Sequence, residues 1–199
     1  MKDIYFLHTT SDGRKIHVFD NILDYKAQYF FYRYITNLSY KCNNVDLAVN
    51  SRENGLNKFR SDITPEQELD IKFFDTIKSE TCLELIKNYK IHSMYVNLGI
   101  PTDCHQIHTD IIGSLAGRDE CLSLLYYVNC DWNINWGGET LFYNNELSSI
   151  EYTSFFKPGR IIIFDGAIPH SARPQSFSSN QYRYTLACKF IKWKRFVKY

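Results

Sequence analysis

A chain of 199 residues is most simply a single domain with enough length to bury a core. Its formal net charge of +1 supplies no global field to draw nucleic acid or an acidic partner, and no apolar run reaches the 18 or more residues of a membrane helix. Fifteen Tyr and fourteen Phe suit the pleated surface of a β-rich protein. The six cysteines form no Cys-x-x-Cys pair and residues 1–5 open no secretory apolar stretch, so the chain reads as cytoplasmic with reduced thiols.

Ile16-His17-Val18-Phe19 predicts a short strand ending at Asp20-Asn21. A helix over 22–36 is expected next, with Asn21 as N-cap and Ile22, Tyr25, Tyr29 and Tyr32 near helical spacing. Residues 43–63 are polar and rich in Asn, Ser, Arg and Asp. They read as a long loop or an edge hairpin, either a substrate lid or a plain surface segment. Thr64-Pro65-Glu66-Gln67 starts a helix running to about 78: Thr caps it, Pro sits at N1, and Gln at N3 completes a capping box. A second helix covers about 80–88. From 91 onward the pattern is that of strands, with candidates at 92–98, 121–129, 139–143, 150–156, 160–164, 168–172 and 182–191. Gly-Gly at 137–138 and Pro-Gly at 158–159 supply turns between them. The fold class expected is α+β, mainly β: a helical part over about 1–90 and a β-barrel or sandwich over about 91–191, in one domain spanning 1–199.

Three residues in this strand-rich half carry metal-ligand chemistry: His108 and Asp110 of His108-Thr109-Asp110, and His170. Two His and one carboxylate form the facial ligand set of non-heme Fe(II) centres with open positions. Six His and thirteen Asp give about 0.4 His-x-Asp triplets by chance, so the triplet alone means little. Its setting adds weight. An apolar strand-like run precedes it, another leads into His170, and Arg183 opens a third. The 59 residues between Asp110 and His170 leave room for about four strands. A hydrolytic zinc site uses a similar ligand set, although no His-Glu-x-x-His helix is present. Arg183 is the residue type that holds a carboxylate through a bidentate fork. The run 189–199 mixes five positive charges with aromatics; a solvated outer face of the last strand is the expected reading, and no strong nucleic-acid signal remains.

The same residues resemble those of the Fe(II)/2-oxoglutarate dioxygenases. Leu124-Leu125-Tyr126-Tyr127-Val128-Asn129, Trp136-Gly137-Gly138-Glu139-Thr140-Leu141 and Lys157-Pro158-Gly159-Arg160-Ile161-Ile162-Ile163-Phe164-Asp165 resemble the prolyl 4-hydroxylase-like branch, over roughly 92–191. The resemblance implies a double-stranded β-helix (jelly roll) flanked by N-terminal helices. It implies Fe(II) on His108, Asp110 and His170, with 2-oxoglutarate and O2, and ascorbate as a further reductant. Arg183 matches the residue that pairs with the distal carboxylate of 2-oxoglutarate, and Tyr127 matches a tyrosine whose hydroxyl also reaches it. Asn97 has the spacing of a cosubstrate-binding asparagine in the nucleic-acid demethylase branch. Two departures bear on substrate: Tyr95 is out of register with Gly99, and 175–181 forms a Ser- and Asn-rich insertion between His170 and Arg183. The implied activity is hydroxylation of a prolyl residue in a peptide or protein. Oxidation of a small molecule or nucleic acid base on the same fold, or a non-catalytic jelly-roll binding module, are the alternatives.

Overall fold

The structure is a computed structural model that describes residues 3–43, 58–101, 103, 105–111 and 121–192. Its elements in chain order are β1 (Ile4–Thr9), β2 (Lys15–Asp20), α1 (Tyr25–Thr36), β3 (Lys41–Asn43), β4 (Lys58–Asp62), α2 (Pro65–Ile71), α3 (Glu80–Ile86), β5 (Tyr89–Gly99), β6 (Cys121–Tyr127), β7 (Thr140–Tyr143), β8 (Ile150–Ser154), β9 (Ile161–Asp165), β10 (His170–Ala172) and β11 (Arg183–Lys192). Eight strands form an antiparallel sheet in the order β1-β2-β9-β6-β11-β5-β4-β3, and a smaller sheet, β10-β7-β8, faces it.

Strand alternation sorts the side chains into two layers. On β11, Tyr184, Leu186, Cys188 and Phe190 meet Leu124 and Tyr126 of β6, and Phe31, Ile35, Phe73 and Cys82 from the helical side. The opposite face turns inward. There Leu125, Tyr127, Ile162, Phe164 and Ala187 pack between the sheets against Phe142 and Ile168. The helices therefore cover one face of the large sheet, and the other closes a jelly roll with the small sheet. The central strands read as near-continuous apolar runs because both of their faces are covered.

Several expectations need correction. Helix α1 starts at Tyr25, and its cap is Asp24, whose carboxylate accepts from the Ala27 N–H. Asn21 has φ 64°, a left-handed turn that drops Ile22 and Leu23 into the core before the helix begins. Phe31 and Ile35 are the buried residues of α1, while Tyr25 and Tyr29 are exposed. The capping box at Thr64 is present, but α2 ends at Ile71 because Lys72 turns left-handed and sends Phe73 into the core. The stretch 1–90 is not simply helical, since it contributes β1 to β4 to the large sheet. Of 43–63, Asn43 ends β3 and Lys58–Asp62 form β4, which pairs antiparallel with both β3 and β5 at the sheet edge; residues 44–57 lie outside the described ones. No described helix is long and apolar enough to cross a membrane.

Asp20 at the end of β2 fastens the rim of the large sheet. Arg160 grips it with Nε on Oδ1 at 2.7 Å and Nη2 on Oδ2 at 3.0 Å, and Lys157 Nζ reaches Oδ2 at 2.9 Å. Burial alone would raise its carboxyl, but the hydrogen bonds and charges of Arg160 and Lys157 outweigh that and hold it below the usual carboxylate range. The stability this provides is complete above the ordinary carboxylate range and is lost as pH falls through the lowered folded value. Asp20→Asn is expected to cost about 1.5–3 kcal/mol at neutral pH, because it leaves the half-buried Arg160 guanidinium without its carboxylate. Urea unfolding at pH 7 and again at pH 3 checks this: the gap between variant and wild type should shrink on acidification.

Candidate metal centre

Backbone hydrogen bonds bring the sequence-distant halves of the cluster together. The His108 N–H donates to the His170 carbonyl at 3.0 Å, the reverse bond is 2.9 Å, and the Asp110 N–H reaches the Gly166 carbonyl at 2.6 Å. Residues 108–110 thus run antiparallel to 166–170, and β10 carries His170 beside Phe142 of β7. Gly166 permits the approach: a Cβ there would sit 3.1 Å from the Asp110 carbonyl oxygen and 3.1 Å from Cys121 Cβ.

Both imidazoles are oriented by their own strands. His108 Nδ1 lies 2.9 Å from the Gln106 carbonyl, and His170 Nδ1 lies 2.9 Å from that of Ile168. A carbonyl only accepts, so a neutral ring at either position carries its proton on Nδ1 and its lone pair on Nε2. These Nε2 atoms face Asp110, at 3.8 Å from His108 to Oδ1 and 3.3 Å from His170 to Oδ2. One ligand atom from each of the three lies within 4.8 Å of the others. Adjacent ligands on an octahedral ion with bonds of about 2.1 Å stand about 3 Å apart, so the donor set suits a divalent ion after a small contraction. Burial alone would raise the Asp110 carboxyl, but the Lys189 ammonium beside it holds it well below the usual range. It therefore offers an ionised carboxylate at neutral pH.

A cleft opens beside the triad. Its floor is the inward face of β11, where Arg183, Thr185, Ala187 and Lys189 follow one another at every second residue. Arg183 is buried. Its Nε donates to the Gly138 carbonyl at 2.8 Å, Nη1 to Thr185 Oγ1 at 2.6 Å and Nη2 to Thr140 Oγ1 at 3.4 Å. These partners are all neutral. Burial lowers its pKa, while the carboxylates of Glu139 and Asp103 partly restore it, and a guanidinium stays protonated throughout. Gly138 has φ +83°, and a Cβ there would stand 3.2 Å from Arg183 Cδ. The Gly-Gly turn is thus required by both backbone and guanidinium.

The six residues singled out from the sequence occupy one region. His108, Asp110 and His170 converge, Arg183 and Asn97 line the same cleft, and Tyr127 lies beside Arg183. The Tyr127 ring stacks on Phe156 at 4.4 Å, and its hydroxyl donates to Thr140 Oγ1 at 2.8 Å. The insertion 175–181 is pinned by Gln175, whose Nε2 donates to the Gly99 carbonyl at 2.7 Å, opposite Arg183 on β5. The sequence reading passed over Ser123, Thr140, Thr185 and, above all, Lys189. Lys189 is not on a solvated outer face: it is buried and its ammonium contacts Asp110. Its even spacing from Arg183 along one strand was the available signal.

Residues 93–190 match the profile of the 2OG-Fe(II) oxygenase superfamily. No curated protein sequence matches the chain. Among solved structures, similar folds include a prolyl-4-hydroxylase of Pseudomonas putida, at 14% identity and TM-score 0.62 over 90% of this chain and 93% of that one. Another is a Trichoplax adhaerens prolyl hydroxylase in complex with a hypoxia inducible factor peptide, at 20% identity and TM-score 0.56 over 89% and 83%. A third is HygX of Streptomyces hygroscopicus with nickel, 2-oxoglutarate and hygromycin B bound, at 11% identity and TM-score 0.59 over 90% and 85%. At such identities the likeness establishes the jelly-roll fold. The superfamily uses Fe(II), 2-oxoglutarate and O2, and the triad described above has the donors such an ion takes. With the matched region running from β5 to β11, the chain belongs to the 2OG-Fe(II) oxygenase superfamily.

Proposed function

We propose that this oxygenase hydroxylates a prolyl residue in a peptide or protein, holding its metal through His108, Asp110 and His170 and the distal carboxylate of 2-oxoglutarate through Arg183. The observation that carries the site assignment is the pairing, in one cleft, of a three-donor cluster with a buried guanidinium whose own partners are neutral. The bound group supplies oxidative decarboxylation of 2-oxoglutarate to succinate and CO2, coupled to oxygen insertion into a C–H bond. The chain's residues hold and orient. The Gln106 and Ile168 carbonyls fix the two imidazoles, so their Nε2 atoms are presented without reorganisation. Arg183 offers its fork to a carboxylate, with Thr185 and Thr140 beside it. The Tyr127 ring lies 5.6 Å from the guanidinium carbon, and Asn97 on β5 would flank the cosubstrate in the cleft. Apolar Leu125 and Ala187 limit water along the floor. The less buried rim of Asn97, His105 and His108 is where the prime substrate enters.

The prolyl assignment is supported by the sequence motifs and by the prolyl hydroxylases among structures of like fold. A small-molecule substrate is the second reading, favoured by the comparable likeness to HygX. We read the whole chain as one oxygenase unit, because β1 and β2 join the same sheet as β11. A cytoplasmic setting accords with the free state of the five described cysteines. The test is succinate release with Fe(II), 2-oxoglutarate and O2, then mass spectrometry of proline-containing peptides. Fe(II)-dependent succinate release, raised by a peptide that gains one oxygen on proline, is the expected result. Stimulation by small polar molecules alone would move the assignment to the second reading, and absence of any succinate would make the chain a binding module.

A further inference from the structure

Lys189 belongs to the floor of the cleft, six residues from Arg183 on the same face of β11 and opposite Ser123 of β6. Its ammonium donates to Asp110 Oδ2 and to Ser123 Oγ at 3.3 Å, and the Tyr95 ring stands 6.0 Å away. Ser123 Oγ itself donates to Asp110 Oδ2 at 2.6 Å. Two donors therefore sit on Oδ2, which also lies 3.3 Å from His170 Nε2, and Oδ1 faces His108. The arrangement also fixes the charge of the centre. Two neutral imidazoles and one carboxylate sum to −1, and Lys189 cancels it. A divalent ion added there leaves a formal charge of +2 rather than +1. Like charges repel across a few ångströms of protein, so the ammonium weakens cation binding and strengthens binding of an anion at the loaded centre.

We propose that Lys189 is the positioning and charge-setting residue of this metal centre: it fixes Asp110 through Oδ2 and trades metal affinity for affinity toward the dianionic cosubstrate. The inference rests on the metal and cosubstrate assignment above. It gives the two affinities opposite responses to one substitution, which a merely structural role does not. Calorimetric titration of Mn(II), then of 2-oxoglutarate into the Mn(II)-loaded protein, reads both without turnover. Lys189→Met is expected to bind Mn(II) at least about tenfold more tightly and 2-oxoglutarate at least about tenfold more weakly than wild type. Lys189→Gln, which keeps a donor for Asp110, carries the same expectation should the Met variant fail to fold. Lys189→Arg, which keeps the charge, should restore 2-oxoglutarate binding toward wild type. If the neutral variants lose both affinities together, or change neither, the proposal is overturned. His108→Ala separates the two layers of argument. Wild type that binds Mn(II), with His108→Ala that does not, upholds the ligand assignment whatever Lys189 does; wild type that binds no Mn(II) removes both.

Discussion

His108→Ala abolishes turnover and leaves the fold standing: this is the largest effect expected. In the proposed assignment the residue supplies one of three protein ligands, yet its side chain is 39% exposed and its backbone bonds to His170 survive truncation. Changing groups that merely orient a ligand costs about 10–100-fold in metal affinity, so deleting a ligand should cost more than about a hundredfold. Succinate release should fall to background while the thermal midpoint of the metal-free protein stays near wild type. Asp110→Ala is expected to behave differently. It also ends turnover, but it leaves the Lys189 ammonium buried without its carboxylate, a loss of about 3–5 kcal/mol. Equal stabilities for the two variants would show that the Lys189–Asp110 contact contributes nothing to the fold.

The second large effect concerns Arg183. Arg183→Met removes the fork and leaves the Gly138 carbonyl and Thr185 hydroxyl without their donor. Loss of a charge-assisted pair with the cosubstrate costs about 1.5–3 kcal/mol, or about ten- to a hundredfold in KM for 2-oxoglutarate. Mn(II) affinity should change far less, because Arg183 makes no contact with the three ligand residues in this structure. A KM that stays at the wild-type value, with activity intact, would assign the arginine to packing against Tyr127 and Phe156.

The strand-rich half was legible because its signals are local and agree. β9 is a bare run of Ile161, Ile162, Ile163 and Phe164 entered from a Pro-Gly turn, and four strands do separate Asp110 from His170 among the described residues. The N-terminal part was less so. β1, Ile-Tyr-Phe-Leu-His-Thr, lies at a sheet edge with Tyr5, Phe6 and Leu7 exposed, so it lacks the buried alternation that marks a strand. Asn21 and Asp24 are both good caps, and only the burial of Ile22 and Leu23 decides between them. In the site, residue types pointed to the triad and Arg183, but Lys189 was read with the basic run that follows it. Charge composition favours the surface; strand parity with Arg183 points inward, and parity is what the fold obeys.

The most direct test is a crystal structure of the protein with Mn(II) and 2-oxoglutarate, collected with anomalous scattering at the manganese edge. One anomalous peak should lie among His108 Nε2, Asp110 and His170 Nε2, with the distal carboxylate of 2-oxoglutarate on the Arg183 guanidinium. A manganese peak elsewhere in the protein, or a cosubstrate carboxylate bound away from Arg183, would contradict the assignment.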